Sequence, residues 1–146
     1  MQSARARGAS VIGTASPRNH EYLRSLGAIP VSYGDGLTDR VRAAAPGSVH
    51  AALDAAGTIE ALHTSIELAS DRDRIVTTAF QPAARELGVR RIGTDRSTAR
   101  LAELTDLYAG GRLRIATRTY PLAEAAEAHR AVETGHGRGK VVLTVG

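Results

Sequence analysis

The residues most suggestive of chemistry follow the first predicted strand of the chain, at residues 9–15. Ser16, Arg18 and Asn19 stand there, and no Asp or Glu occurs between Ile12 and His20. A domain that binds NAD usually places an acidic residue at this point, to bond the ribose 2′-hydroxyl. A hydroxyl and a cation instead suit a 2′-phosphate, because Arg can grip phosphate in a bidentate way. The alternative is a capped helix with a solvated Arg in its first turn.

Four further predicted strands are followed, like the first, by segments of small and polar residues. The five segments are small, polar and rich in glycine, and they are residues 14–19, 33–36, 54–58, 77–81 and 93–96. Open parallel sheets bind ligands outside the carboxyl ends of their strands. These segments therefore predict an edge that a nucleotide can approach closely.

The elements that must position these segments alternate between strand and helix along the chain. The predicted strands are residues 9–15, 29–33, 49–53, 74–80, 89–94, 113–120 and 140–145, and helices fill the intervals. Thr58 and Ser97 are expected to cap helices, and Gly27 to end one. The alternation predicts an α/β fold with a mostly parallel sheet.

Composition excludes several classes of function. The 146 residues contain no Cys and no Trp, so thiolate metal sites and cysteine nucleophiles are ruled out. The net charge is +4, and the Arg residues behind it are scattered rather than clustered, which argues against a nucleic-acid partner. No apolar run approaches the roughly 18 residues needed to span a bilayer. The N-terminal residues lack the apolar core of a secretory signal, so a cytoplasmic location is expected.

Four segments of the chain resemble the medium-chain dehydrogenase/reductase superfamily. They are ASVIGTASPRNHEYLRSLGA (residues 9–28), AALDAAG (51–57), DRDRIVTTAF (71–80) and the long stretch from 109 to 145. The resemblance is greatest to the zinc-independent, NADPH-dependent quinone-oxidoreductase-like branch. It implies a Rossmann-like, doubly wound parallel sheet.

The resemblance also assigns roles to particular residues. It implies that Ser16, Arg18 and Asn19 hold the 2′-phosphate of NADPH, and that Tyr33 lies beside the adenosine end. Ala56 and Gly57 would line the nicotinamide ribose. The remaining positions, which face the nicotinamide or approach the cofactor from the other side, are Thr78, Ala79, Phe80, Arg138 and Lys140.

The chain departs from the family pattern at its beginning. Residues 2–8 correspond to the end of the first helix of the family's nucleotide-binding half, so the first strand, the GxGxxG loop and the separate catalytic domain are absent. The glycines at 34–36 and 135–139 do not stand between a strand and a helix. Residues 1–146 are thus expected to form an incomplete NADP-binding domain. Its residues 121–146 would be the helix and strand that return to the catalytic domain.

Two consequences follow from this departure. Without the glycine loop the pyrophosphate loses its N–H cradle, so NADPH affinity is expected to be weak or absent in the isolated chain. The missing strand is central, which leaves either a gap between residues 9–15 and 49–53 or a direct pairing of the two. Unpaired strand edges favour association, so a homodimer or a complementing domain is expected, with no membrane partner.

The resemblance favours an NADPH-dependent oxidoreductase of the quinone or enone reductase type, or a fragment of one. The alternative is a repurposed non-redox protein, either a small-molecule binder or a cyclase/isomerase, that uses the former cofactor cleft. No catalytic residue is assigned, and whether the chain is an enzyme at all is left open. The five His have no ligand spacing, so no metal site is expected. Asp54 could act as a general base, although bonding to neighbouring backbone N–H groups is the commoner role of such a residue.

Overall fold

A computed structural model describes residues 1–79, 82–93, 97–135 and 137–146. The chain divides into two compact units, Met1–Ala102 and Glu103–Gly146. Among the described residues, no helix is both long enough and apolar enough to cross a membrane.

The first unit contains five short strands with helices between them. Its helices and strands are α1 (Gln2–Ala6), β1 (Ile12–Thr14), α2 (His20–Ser25), β2 (Ile29–Val31), α3 (Leu37–Ala44), β3 (Ala52–Asp54), α4 (Ile59–Leu68), β4 (Ile75–Thr77), α5 (Pro82–Glu86) and β5 (Arg90–Arg91). Short 3-10 turns at Pro17–Asn19 and Arg72–Arg74 precede α2 and β4. Helix α6 (Thr98–Ala109) runs across the division between the units.

All strand pairs in the first unit are parallel. β1 pairs with β2, with Thr14 opposite Val31, and a second sheet has the order β3-β4-β5. In that sheet Asp54 lies opposite Thr77. The predicted α/β class with parallel, Rossmann-like sheets is confirmed.

The strands are shorter than the sequence predicts. Strand β4 covers three residues where the sequence predicts residues 74–80. Apolar character marks where a chain is buried, whereas the limits of a strand depend on where a partner supplies hydrogen bonds. At β3 the predicted start, Val49, forms only an isolated bridge to Ala69.

Between the two alternatives for β1 and β3, the structure shows the gap. Within the described residues, β1 is hydrogen-bonded to β2 and β3 to β4, and no ladder joins β1 to β3. Leu53, in the middle of β3, is 58% exposed. Each of these strands therefore has one unpaired edge.

Helices α3 and α4 connect the two sheets of the first unit. Helix α3 packs on β2 and on α4, and α4 packs on β3. The Thr38 and Thr64 hydroxyls lie 2.9 Å apart in a hydrogen bond, and Arg42 forms a 2.7 Å ion pair with Glu67. One buried cluster, of Val31, Leu37 and Val41, lies along α3. A second cluster contains Leu62, Ile75, Ala84 and Val89.

The predicted caps are partly confirmed. The Thr58 side chain accepts a hydrogen bond from the Ala61 N–H, and Ser97 accepts one from Arg100. Gly27 ends α2 with φ +77°, the left-handed conformation expected there. Ser16 precedes its 3-10 turn, but its side chain makes no capping bond.

The second unit is a parallel pair of strands with one packed helix. Strands β6 (Thr117–Pro121) and β7 (Lys140–Thr144) are joined by a 3-10 turn at Leu122–Glu124 and by α7 (Ala125–Glu133). Pro121 is predicted to open the last helix and instead ends β6, where its missing N–H costs no ladder bond. Along α6, Leu101 is 63% exposed and Leu107 is buried.

Gly139 is the residue on which the start of β7 depends. It has φ +75°, and a Cβ built there would collide with the Ala116 carbonyl, which accepts the Lys140 N–H. We predict that Gly139→Ala lowers the free energy of unfolding by about 2 kcal/mol, since the left-handed conformation alone costs a side chain roughly 1–2 kcal/mol. Urea denaturation followed by circular dichroism measures this.

Gly137→Ala is the matched control. Gly137 lies two residues earlier, without a left-handed φ, and nothing lies within 4 Å of a Cβ there. Its effect on the free energy of unfolding is expected to stay within about 0.5 kcal/mol. Equal destabilisation by the two variants would contradict the role given to Gly139.

Candidate functional site

The first candidate site, called here the β1–β2 edge, consists of residues 14–19 and 32–36. The two strands are parallel neighbours, and the Ala15 N–H continues the pairing by donating to the Val31 carbonyl over 2.9 Å. The segments that follow β1 and β2 therefore leave the sheet side by side. The structure thereby brings the Ser16 segment and the Tyr33 segment, which the sequence selected separately, to one edge.

Polar groups converge on the turn that follows β1. The Asn19 side-chain amide donates to the Ser16 hydroxyl over 3.4 Å, and the Asn19 N–H donates to the Ser16 carbonyl over 2.8 Å. Arg18 lies between them on the same turn, with an exposed side chain. A hydroxyl, an amide and a guanidinium together form a donor set that suits phosphate oxygens.

His20 ties α2 to the end of β1. Its Nε2 lies 3.1 Å from the carbonyl oxygen of Ala15, in a hydrogen bond. The side chain is half-buried at the first residue of the helix. This contact fixes the turn of residues 16–19 between the strand and the helix.

Tyr33 is an exposed aromatic residue at the β1–β2 edge. Its side chain is 61% exposed, and it stands directly after β2 in a loop that contains Gly34 and Gly36. This loop leads from β2 into α3, so the prediction that the glycines at 34–36 do not stand between a strand and a helix is wrong. An exposed tyrosine beside this polar turn offers a flat surface on which a planar ring could stack.

The second candidate site, called here the β3–β4 edge, consists of residues 54–57 and 77–79. Asp54 is its centre and is only 4% exposed. Its Oδ1 accepts the N–H groups of Ala56 at 3.1 Å and Gly57 at 2.9 Å, and its Oδ2 accepts the Thr77 hydroxyl at 2.7 Å. One carboxylate thus shapes its own loop and joins it to the next strand.

The segment after β4 is held by the same pair of residues. The Thr78 N–H donates to the Asp54 carbonyl over 2.9 Å, and the Ala79 N–H donates to the Thr77 hydroxyl over 3.0 Å. Four backbone N–H groups of this edge are therefore bonded within the protein. Of the two roles considered for Asp54, the structure shows bonding to backbone N–H groups.

An open cavity of about 400 Å³ adjoins this edge. Thr77 and Ala79 line one side of it, and Val89, Arg85 and Arg90 contribute to the rest. The cavity places space for a ligand beside the end of β4.

The other predicted site residues fall outside these two edges. Arg138 and Lys140 are exposed and belong to the second unit, where Lys140 begins β7. Phe80 lies outside the described residues. Ala56 and Gly57, in contrast, belong to the β3–β4 edge, where Ala56 is exposed and Gly57 is buried with φ +72°.

Thr77 opens the segment 77–81 that the sequence selected, but it was given no individual role there, although it is the partner of Asp54 and is only 1% exposed. Its only sequence signal is a hydroxyl at the end of the buried run Ile75–Thr77. Within the described residues, no three His, Asp or Glu side chains are grouped so that they could hold a metal ion.

Comparison with known proteins defines the class of the chain. A family model described as zinc-binding dehydrogenase matches residues 26–143. The chain therefore belongs to this family, which is part of the medium-chain dehydrogenase/reductase superfamily. The predicted independence from zinc stays a prediction.

Individual relatives are longer than this chain. A quinone oxidoreductase from Coxiella burnetii is 31% identical, with a TM-score of 0.74, over 99% of this chain and 48% of its own. An NAD-dependent alcohol dehydrogenase is 28% identical, with a TM-score of 0.79, over 99% of this chain and 46% of its own. The Spectinabilin polyketide synthase system protein NorB of Streptomyces orinoci is 32% identical over 99% of this chain and 7% of its own length. The chain thus spans about half of the matched structures and a small part of the curated relative.

The Asp54 network predicts a large loss of stability on mutation. Asp54→Ala leaves two N–H groups and the Thr77 hydroxyl without their acceptor, and each buried unsatisfied group costs about 1–3 kcal/mol. We expect the free energy of unfolding to fall by about 3 kcal/mol or more in urea denaturation. Asp54→Asn should fall between this variant and the wild type, because its amide oxygen still accepts the two N–H groups.

Asp71→Ala serves as the control for this prediction. The Asp71 carboxylate also accepts a nearby backbone N–H, that of Asp73 at 2.9 Å, but on an exposed turn. The loss of such a cap costs about 1 kcal/mol. If the Asp54 and Asp71 variants lose equal stability, Asp54 does not organise the β3–β4 edge.

Proposed function

We propose that the chain is the nucleotide-binding half of an NADPH-dependent oxidoreductase of the quinone or enone reductase type. The observation that carries the proposal is the β1–β2 edge, where Ser16, Arg18 and Asn19 share one turn beside Tyr33 and no acidic residue takes the usual ribose-binding position. Its relatives are oxidoreductases, which supports the redox function and gives no support to the non-redox alternative.

The β1–β2 edge fits the adenosine end of NADPH by the chemistry of its donors. The Ser16 hydroxyl, the Asn19 amide and the Arg18 guanidinium would bind the 2′-phosphate, and Tyr33 would flank the adenosine. When bound, NADPH supplies the hydride that the reaction transfers. The role of these side chains is to bind and orient the nucleotide.

The β3–β4 edge is proposed to hold the nicotinamide end. Ala56 and Gly57 present little or no side chain, which allows close approach. Ala79 lines the cavity, and Thr78 precedes it in the chain. Because Asp54 engages the amides of Ala56 and Gly57, these residues would contribute shape rather than N–H donors. Phe80, Arg138 and Lys140 complete the proposed set.

The proposal includes a partner for the open strand edges. Each of β1 and β3 is paired on one side within the described residues, and β7 carries exposed apolar residues, among them Val142 and Leu143. We therefore infer either a homodimer or a complementing domain. A cytoplasmic location is proposed separately. Without a glycine-rich cradle for the pyrophosphate, the chain alone would bind NADPH weakly.

The proposed substrate is a quinone or an enone, both of which accept hydride at an electron-poor double bond. Similarity to a polyketide synthase system protein adds enoyl thioesters to the compounds worth testing, since they carry the same activated double bond. Similarity to an NAD-dependent dehydrogenase makes the 2′-phosphate the feature that decides between the two nicotinamide cofactors.

The 2′-phosphate assignment is tested with adenosine fragments, which do not need the pyrophosphate cradle. In NMR titrations, the wild type should bind adenosine 2′,5′-bisphosphate about tenfold more tightly than adenosine 5′-monophosphate. Arg18→Gln should remove most of this preference. Arg24→Gln is the control, because Arg24 lies near the end of α2, away from the turn that carries Arg18, and forms an exposed ion pair with Glu21.

Two outcomes would count against the assignment. Equal affinity of the wild type for the two fragments would overturn the 2′-phosphate site. Micromolar binding of intact NADPH in isothermal titration would overturn the expectation of weak binding by the chain alone.

The proposed self-association predicts the mass of the chain in solution. Sedimentation equilibrium should give a species of about twice the 15.3 kDa chain mass. The reason is that the unpaired backbone N–H and C=O groups of an edge strand can form hydrogen bonds with a strand of a second copy. The measurement should be made over a range of concentrations, with and without salt. A monomer throughout would contradict the homodimer and leave the complementing domain as the proposed partner.

A further inference from the structure

Arg40 binds three backbone carbonyl groups of the loop that carries Tyr33. Its Nε donates to the Ser32 oxygen over 2.9 Å, its Nη2 to the Gly34 oxygen over 2.7 Å, and its Nη1 to the Asp35 oxygen over 2.7 Å. The planar guanidinium presents its donors in a fixed geometry. One side chain therefore fixes the positions of three carbonyls within four consecutive residues.

The loop needs such a support because its two glycines allow the backbone several conformations. Gly34 has φ +94° and Gly36 has φ +77°, and glycine moves readily between left-handed and right-handed conformations. The loop also lies beyond the end of β2 at Val31, where the sheet supplies no further pairing. Arg40 provides the hydrogen bonds that the strand no longer provides.

Arg40 is itself held by a rigid base. It lies in the first half of α3, whose Leu37 and Val41 are buried at 3% and 9% exposure. The helix is linked to α4 through Thr38 and Thr64. The guanidinium also needs Gly36, since a Cβ at that position would come within 3.2 Å of Arg40 Nη1.

We propose that Arg40 is a positioning residue that holds the residue 32–35 loop in one conformation and so presents Tyr33 to the adenosine end of the bound nucleotide. The inference rests on the proposed function for its ligand. Its structural part, the immobilisation of the loop, stands on the three hydrogen bonds alone. Arg40 acts through the backbone of the loop and not through contact with the nucleotide.

The loop is tested first, without ligand, by ¹⁵N relaxation of the Tyr33, Gly34, Asp35 and Gly36 amides. In the wild type their order parameters should be near 0.85, the value of rigid backbone, and in Arg40→Ala they should fall below about 0.6. Arg42→Ala is the control, because Arg42 lies on the same helix but pairs, within the described residues, with the side chains of Asp39 and Glu67 in exposed positions. Unchanged order parameters in Arg40→Ala overturn the inference.

The ligand arm uses adenosine 2′,5′-bisphosphate in NMR titrations of the same variants. Arg40→Ala should weaken binding about tenfold, and Arg42→Ala should not change it. Arg40→Lys keeps the charge but cannot reach three carbonyls from one ammonium group, so it should also loosen the loop and weaken binding. Wild-type affinity in Arg40→Lys would show that charge matters and positioning does not, and would overturn the inference.

Two further experiments distinguish a failure of this inference from misfolding of the variant and from a failure of the proposed function. Gly36→Ala perturbs the same contact from the loop side and should reproduce the loss of order if Arg40→Ala does not fold. Failure of the wild type to bind the bisphosphate overturns the proposed function and the ligand part of the inference. The relaxation data then still decide whether Arg40 immobilises the loop.

Discussion

The two sheets of the first unit share no backbone ladder within the described residues, so helix side chains must hold them together. Helix α3 packs on β2, α4 packs on β3, and the two helices meet through the Thr38–Thr64 hydrogen bond. The Val31–Leu37–Val41 cluster supplies the apolar part of this connection. Both candidate edges therefore depend on elements that are stable only while α3 and α4 stay packed, and the support of the Tyr33 loop by Arg40 begins on the same helix.

Each candidate edge solves the same physical problem, which is how to satisfy backbone polar groups where a strand ends. At the β3–β4 edge the buried Asp54 carboxylate accepts N–H groups from its own loop and the hydroxyl from Thr77. At the β1–β2 edge the Arg40 guanidinium donates to carbonyls of the residue 32–35 loop. The Asp54 carboxylate thus accepts hydrogen bonds from donors at the β3–β4 edge, and the Arg40 guanidinium donates hydrogen bonds to acceptors at the β1–β2 edge. At the β3–β4 edge, where Asp54 and Thr77 are buried, a group without a partner costs about 1–3 kcal/mol, so these contacts decide the shape of that loop.

The fold class could be predicted from the sequence because strand and helix patterns alternate along the whole chain. The Thr58 cap and the helix end at Gly27 could also be predicted, because each depends on residues that are close in the sequence. Strand limits could not be predicted, since the end of β4 at Thr77 depends on which residues find a partner across the sheet. The positions of Ser16, Arg18, Asn19 and Tyr33 at one edge followed from topology. The partners of Asp54 and Arg40 did not, because Thr77 is 23 residues from Asp54 and no spacing rule identifies an arginine that binds carbonyls.

The β3–β4 edge also indicates which chemistry this fold does not support there. Stabilising a tetrahedral oxyanion requires N–H donors aimed at the position where negative charge develops. The amides of Ala56, Gly57, Thr78 and Ala79 are all directed to acceptors within the protein. These four groups cannot form an oxyanion hole without breaking the bonds that shape the loops. Acyl transfer that relied on these four amides is therefore disfavoured, whereas holding two reactants at high effective concentration requires none of them.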